Sequence, residues 1–465
     1  MTATTFNAPA LTRPMAAATS RASLHNIIRK TNYKMSFDFT NDSYINSKSN
    51  YFGANQKSSN IETVGVGLEH LKKPFSLQAL WFYSEQEQTS YYDVPELSYK
   101  IVQPHYKLWL GRHRENWSQA DSFWQFGYWQ PRFNWDGFHP TEDGLTGLFF
   151  EPSTGSRLKM TAFVTPFFIP ETDPTYHEEN NMLVSQNPWF RNTPPMVALW
   201  EQLTPVHMNV DLPSISSVVF KPSVAYKVNY RESPNSTLHF AYAYKPMNTP
   251  VLGFNFNLAA DASGTYMNVN VVPRFDYHHI ATVENIWHFN TGPIGSVAIT
   301  PSLTYDSPQL SAVPYTWVAQ NLAPLWIGSL TASWNVDGDS TESIYGGVMN
   351  VWGNQPEDRG QEAQPESQFP LRPRYLSALR VGFSYSPPRW GKQLSRYSSE
   401  ATFDPRLNGW ELLNEYLFSF NRSWQARVRA DFLGLFAQPA PSQQEGFFAL
   451  YRSNSVASLD VAYVF

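Results

Sequence analysis

The stretch 424–434, WQARVRADFLG, alternates apolar and polar side chains along nearly its whole length. Because successive side chains of a β-strand point to opposite faces, one face of this strand is expected to be apolar and the other charged. The apolar face carries Trp424, Ala426, Val428, Ala430 and Phe432. The other carries Arg427 and Arg429, which would need buried partners in a dry core but are hydrated in a water-filled barrel. The stretch therefore predicts a membrane-spanning β-strand.

The same two-residue period recurs from about residue 34 to the C-terminus. Clusters of Pro, Gly, Asn and Asp separate the alternating segments, as turns between strands require. Clear examples are 75–83, 218–231, 296–306 and 326–336. The alternation at 456–465 continues backwards along the chain, so we expect 446–465 to form one long strand.

A tight turn at 421–423 sets the register of the two strands that flank it. It places Tyr416 opposite Val428 and Glu415 opposite Arg429. Both faces of the hairpin then match, which supports antiparallel pairing. We expect Glu415 and Arg429 to form a wall ion pair that contributes under about 1 kcal/mol in a wet lumen.

Composition favours a membrane barrel over a soluble β-sandwich. Aromatic residues make up 16% of the chain, and rings such as Trp326 and Trp334 end apolar stripes, as in the two girdles of a membrane barrel. We therefore predict an all-β fold: a single transmembrane antiparallel β-barrel of about 16 strands, with 18 as the alternative. The count depends on the long connections 353–374 and 388–409, which cannot both be external unless a further strand lies near 392–403.

The sequence divides into two unequal parts. Residues 1–33 lack the apolar core of an export signal and are interpreted as an irregular, periplasmic segment. Residues 34–465 are interpreted as the barrel, with a long loop near 169–214. The net charge of −5, from 34 basic and 39 acidic residues, argues against a nucleic-acid binder. The absence of cysteine excludes disulfides and thiolate metal sites.

Charged residues on the inward faces are predicted to line the pore. They are Arg157, Lys159, Lys221, Lys227, Arg231, Glu415, Arg427 and Arg429. Their uneven distribution predicts a transverse field across the lumen. The long loop is expected to fold inwards and to narrow the pore with Glu178, Glu179 and Arg191, the alternative being an external loop packed on its neighbours.

The residue patterns give no support for catalysis. His278 and His279 are adjacent, so on a regular strand they point to opposite faces and cannot bind one metal ion. No nucleophile elbow, phosphate-binding loop, zinc-helix motif or calcium loop occurs. We expect no enzyme activity, no metal and no cofactor. The tryptophan-rich stretch 124–136, WQFGYWQPRFNWD, is interpreted as aromatic girdle, with stacking on sugar rings as the alternative.

The C-terminal run SLDVAYVF at 458–465 resembles the terminal strand signal of Gram-negative outer-membrane proteins. Chain length, alternation and the block 110–151 resemble porins. The resemblance implies insertion by the barrel assembly machinery into the bacterial outer membrane, contact with its lipid and lipopolysaccharide, and homotrimer formation. It also implies a passive diffusion channel for small hydrophilic solutes or ions, the alternative being a plugged structural or surface-recognition barrel without an open pore.

Overall fold

A computed structural model describes most of the chain from Lys34 onwards, and the predicted segment 1–33 lies outside the described residues. The described ranges are 34–45, 60–70, 74–155, 157–191, 196–199, 202–262, 264–292, 295–336, 342–353, 357–359, 369–386, 394–421, 423–439 and 446–465. Eighteen of the strands form one antiparallel sheet and are numbered β1 to β18 in chain order.

The first nine barrel strands are β1 (Lys34–Tyr44), β2 (Asn60–His70), β3 (Phe75–Ser84), β4 (Thr89–Gln103), β5 (Tyr106–His113), β6 (Leu145–Pro152), β7 (Leu158–Thr165), β8 (Ser223–Ser233) and β9 (Ser236–Pro246). The other nine are β10 (Tyr277–Asn290), β11 (Ser296–Gln309), β12 (Leu325–Asn335), β13 (Ser343–Gly353), β14 (Ser377–Tyr385), β15 (Leu394–Asp404), β16 (Gly409–Ser419), β17 (Trp424–Leu435) and β18 (Val456–Val464). Each pairs with its neighbours in the chain order.

The sheet closes on itself because β1 pairs with both β2 and β18. Asp38 lies opposite Gly65 on one side and Ala462 on the other. At the seam, the Phe465 backbone N–H also donates to the Met35 carbonyl at 2.9 Å. Closure pairs the edges that an open sheet would leave unsatisfied in lipid. The predicted all-β fold, a closed antiparallel β-barrel, is confirmed.

The faces of β17 follow the predicted alternation. Val428 on the outer face is 50% exposed, whereas Arg427 and Arg429 on the inner face are 1% and 4% exposed. Tyr416 lies opposite Val428, and Glu415 lies opposite Arg429, as the 421–423 turn predicts. Among the described residues, no helix is long and apolar enough to span a membrane.

The strand number is 18, so the prediction of about 16 is wrong and its alternative is confirmed. One strand that the sequence pattern obscures is β15, which lies where the two long connections required one. Its sequence, LSRYSSEATFD, has serines on both faces and therefore shows little apolar alternation.

Two predicted strands are shorter than expected. Residues 446–465 are not one strand, because a helix at Phe447–Tyr451 precedes β18. The Phe448 ring is buried against Gly409, where a Cβ would collide with it, and this packing replaces further strand pairing. The stretch 218–231 is likewise not all strand, since a helix ends at Val219 and β8 begins only at Ser223.

The elements outside the barrel lie in its connections. The helices are α1 (Gln119–Trp124), α2 (Ile215–Val219) and α3 (Phe447–Tyr451). Two short hairpins comprise Arg132–Phe133 with Thr141–Glu142, and His177–Glu179 with Met182–Val184. A six-stranded sheet, called the outer sheet, contains Met196–Leu199, Gln202–Val210, Val251–Asp261, Gly264–Arg274, Val318–Asn321 and Glu357–Arg359.

All the longest connections lie at one end of the barrel. Of the described residues, this long-connection rim carries 45, 85–88, 114–144, 166–191, 196–199, 202–222, 247–262, 264–276, 310–324, 357–359, 369–376, 405–408, 436–439 and 446–455. The short-connection rim carries 74, 104–105, 153–155, 157, 234–235, 291–292, 295, 336, 342, 386, 420–421 and 423. This asymmetry is typical of barrels whose longer loops face the cell exterior.

We expect Val428→Arg to impair membrane insertion, because an arginine near the bilayer midplane on the lipid face costs about 2 to 4 kcal/mol. Val428→Leu, which keeps an apolar side chain, should insert normally. Ser333→Arg places the same charge on the inner face of β12, where Ser333 is half-buried, and should also insert. Heat-modifiable migration on unboiled gels measures the folded fraction. Normal folding of Val428→Arg together with failure of Ser333→Arg would show that the two faces are inverted.

Candidate functional site

The chain segment between β5 and β6, residues 114–144, lies inside the barrel and is called the lumen segment. Its largest aromatic side chains are all but inaccessible to solvent. They are Trp117, Phe123, Trp124, Trp129 and Phe138. Trp117 stacks on Trp129 at 5.7 Å between ring centroids, and Trp124 meets Tyr375, which lies just before β14 in the chain, at 6.2 Å. The lumen segment and the inner wall therefore share one apolar core.

Helix α1 of the lumen segment is held at both ends by charged side chains of the wall. Glu284 of β10 accepts hydrogen bonds from the Ser118 hydroxyl at 2.7 Å and from the Gln119 and Ala120 backbone N–H groups at 3.0 Å. At the other end, Arg380 of β14 donates to the Phe123 carbonyl at 2.6 Å. An anion at the N-terminus and a cation at the C-terminus both stabilise a helix by satisfying its free backbone groups and its dipole.

Arg380 is fixed in turn by carboxylates of the wall. It lies 3.3 Å from Glu400 and 3.4 Å from Glu411, and Glu411 also pairs with Arg374 at 2.9 Å. Arg374 donates to the Gly137 carbonyl at 2.8 Å. This wall cluster therefore binds the lumen segment at two points that are separated along its sequence.

Further contacts attach the lumen segment to the remaining wall. The list comprises Lys227 of β8 with Glu115 and the Asn116 carbonyl, His239 of β9 with the Trp117 carbonyl, Thr282 of β10 with the Trp129 indole, Arg429 of β17 with Asp136, and Asp431 of β17 with His139. Contacts therefore reach from β8 to β17. Because these strands follow one another around the barrel, the lumen segment crosses the interior instead of lining one side.

Burial and neighbouring charges shift the pKa values of carboxyl groups in the lumen segment. Burial, together with the nearby Glu142 carboxylate, raises the pKa of Asp121 to about 7. Burial also acts to raise the pKa of Asp136, but His139 and Arg429 hold it below its usual value. Asp136 is therefore an anion matched to the wall cation Arg429 across 3.0 Å. Asp121 stays protonated over a wider pH range than an exposed aspartate.

Four predicted pore-lining residues point inwards and are buried in ion pairs. Lys227 pairs with Glu115. Arg427 lies 2.7 Å from Asp460 and 3.5 Å from Glu415, so Glu415 is closest to Arg427 although its backbone lies opposite Arg429. The expected wall pair between Glu415 and Arg429 is thus corrected, because Arg429 turns towards the acidic groups of the lumen segment and β1.

The other predicted pore-lining residues lie nearer the two rims. Arg157, Lys159 and Arg231 are exposed, and Arg157 and Arg231 are joined by a backbone hydrogen bond at the short-connection rim. Lys221 is not a wall residue, which corrects that prediction. It precedes β8, and its ammonium lies 5.5 Å from the centre of the Tyr277 ring.

The predicted constriction residues are exposed side chains of the connection between β7 and β8, and their narrowing of the lumen stays a prediction. Glu178 and Glu179 lie in an exposed hairpin, and Arg191 is exposed as well. The same connection does send Trp189 against Phe138 of the lumen segment, at 4.9 Å between ring centroids. Loop length therefore identified a connection that packs on the lumen segment through Trp189. The segment inside the barrel is the shorter, aromatic stretch 114–144.

The tryptophan-rich stretch 124–136 is a lumen core and not the aromatic girdle that the sequence suggested. The sequence signal for a lumen core was the high density of aromatic residues without two-residue alternation. His278 points inwards to Asp306 at 2.5 Å, while His279 bonds Tyr242 on the outer face at 2.7 Å, so the two imidazoles do point apart. Within the described ranges, no group of three or more histidine or acidic side chains is arranged to hold a metal ion.

Comparison with known proteins shows a likeness of fold only. No family model matches the sequence, and no curated protein is similar to it. The chain is similar to Pseudomonas aeruginosa OccK5 (OpdH), with 9% identity and a TM-score of 0.45 over 93% of this chain and 97% of that one. The outer membrane protein opdK of the same organism is 9% identical, with a TM-score of 0.42 over 93% of this chain and 98% of that one. OprD of that organism is 9% identical, with a TM-score of 0.40 over 93% of this chain and 94% of that one.

We expect Glu284→Ala to lower the free energy of unfolding by about 2 to 3 kcal/mol, because it leaves buried donors at the start of α1 without their charged acceptor. Urea titration of the folded barrel, followed by gel migration, measures the change. Glu232→Ala, at the exposed end of β8, should change stability by less than about 0.5 kcal/mol. Equal effects of the two substitutions would contradict the capping role of Glu284.

The pKa of Asp121 predicts how stability depends on pH. Because its folded pKa of about 7 lies above its ordinary value of 3.8, the folded state binds more protons, and stability falls as pH rises from about 4 to 7. Asp121→Asn keeps an acceptor for the Tyr128 N–H and removes the titration. The urea midpoint of the wild type should therefore fall relative to that of Asp121→Asn as pH rises over this window. A constant difference would refute the shift.

Proposed function

We propose that this chain is an outer-membrane channel of a Gram-negative bacterium through which small hydrophilic solutes diffuse passively, at a passage narrowed by the lumen segment. The observation that carries the proposal is the contrast between the two faces of the barrel. The outer face is apolar, whereas inward positions of successive strands carry charged groups. Examples are Lys245, Glu284, Asp306, Arg380, Glu411, Arg427 and Asp431.

The number of strands supports a channel. Barrels of 8 strands are filled by their own side chains, whereas those of about 16 to 18 strands enclose room for an aqueous path. An 18-stranded barrel needs additional chain to restrict passage, and residues 114–144 supply it. In this proposal the wall charges hold that segment in place, and the space beside it admits solutes.

The competing proposal is a plugged barrel whose outer connections carry recognition. The observation that favours it is the dryness of the lumen core: Trp117, Trp124 and Trp129 are each at most 1% exposed. In addition, Arg427 and Arg429 are paired with acidic groups and not presented to a water-filled path. The two proposals differ in whether the intact protein conducts ions.

Conductance in planar bilayers tests the channel directly. We expect the purified wild-type protein to give discrete conductance steps. Replacing 114–144 by a two-residue Asn-Gly turn should increase their size, because His113 lies opposite Leu145 and a tight hairpin can join β5 to β6. Replacing the exposed hairpin 177–184 by the same turn is the matched control and should leave conductance unchanged. If the wild-type protein does not conduct and the shortened variant does, the plugged barrel is established instead.

A further inference from the structure

Five large apolar side chains are exposed in the connection that joins β7 to β8 at the long-connection rim. They are Phe167, Ile169, Leu212, Ile215 and Phe220, called the rim patch. Ile215 is 82% exposed and Phe220 is 64% exposed. The two chain segments that carry them are held together by the Phe167 and Phe220 rings, 5.8 Å apart, and by a hydrogen bond from the Phe168 N–H to the Val219 carbonyl.

The rim patch continues the lipid-facing surface of the barrel. Val164 of β7 and Val224 of β8 lie opposite each other in the sheet, point outwards and are about half exposed. Phe167 follows Val164 by three residues, and Phe220 precedes Val224 by four. Beyond β7 no charged side chain intervenes on 165–167, whereas before β8 Lys221 lies between Phe220 and Val224 in the chain.

Strand length gives an independent reason for this extension. A tilted strand needs about 9 to 11 residues to cross the hydrocarbon layer. β7 has only 8 residues, Leu158–Thr165, so its outward face is too short to cover that thickness. Phe167 and Phe220 lie directly beyond this end of the two strands, where additional apolar side chains can extend the outward surface.

Helix α2 fits the same position. None of its residues, Ile215–Val219, is buried by the protein. Lys221 follows directly, with its ammonium near the Tyr277 ring, and lysine and tyrosine are typical of the headgroup level of a membrane. Apolar side chains thus lie next to residues that mark the boundary of the bilayer.

We propose that the rim patch inserts into the acyl-chain region of the leaflet at the long-connection rim and completes the lipid-facing surface beside β7. The occupant is lipid and not a second copy of the chain, because the patch is continuous with the surface that lipid already covers. The proposal rests on the barrel spanning a bilayer and is independent of whether the lumen conducts.

Single cysteines test this, since the chain contains none. Ile215→Cys and Phe220→Cys are labelled with a nitroxide in vesicles of phosphatidylcholine and phosphatidylglycerol. Collisions with oxygen, which concentrates in lipid, are compared with collisions with a water-soluble nickel chelate. Val224→Cys is the lipid reference, and Leu203→Cys, 73% exposed in the outer sheet, is the water reference. Gel migration verifies folding of each labelled protein.

We expect labels at 215 and 220 to favour oxygen over nickel, as the label at 224 does, while the label at 203 favours nickel. Nickel preference at 215 and 220 with oxygen preference at 224 would overturn the proposal and leave the membrane barrel intact. Exclusion of both reagents with spin–spin broadening would overturn it in favour of a second copy of the chain. Nickel preference at 224 would overturn both the proposal and the membrane-spanning orientation. Absence of conductance in planar bilayers would contradict only the proposed channel.

Discussion

The structure depends on the need of every backbone N–H and C=O in a bilayer for a partner within the protein. Pairing of β1 with β18 meets that need, because it leaves the barrel sheet without an edge. Closure then fixes the alternation of faces around the whole circumference, since a slip of one residue would turn arginines such as Arg427 and Arg429 towards lipid. The apolar exterior and the charged interior both follow from this constraint.

Closure also creates an interior that the sheet alone cannot fill. The lumen segment occupies part of it by combining two kinds of contact: aromatic rings that pack on the wall, and polar groups that the wall charges satisfy. Buried charges are costly unless they are paired. Glu284 and Arg380 meet this condition by capping opposite ends of α1, so the charges of the wall and the helix dipole neutralise each other.

The local alternation of apolar and polar residues predicted those features of the fold that depend on residues close together in the sequence. The faces of β17 and its register with β16 follow from alternation and from the 421–423 turn. β15 was harder because serines obscure its alternation. The lumen segment was not predictable from spacing, since its position depends on partners such as Asp431, 292 residues from His139. Aromatic density at 124–136 was visible, but the choice between a girdle and an interior core needed the sheet to be assembled.

The clamped helix α1 has a consequence for the order of assembly. Its partners Glu284 and Arg380, and the Asp431 that holds His139, all lie far downstream in the chain. Until those strands are in place, the tryptophans of residues 114–144 have no wall to pack on and their polar groups have no charged partners. Contacts so distant in sequence are slow to form. Filling of the interior is therefore a late event, and a barrel arrested before its last strands close would hold this segment undocked.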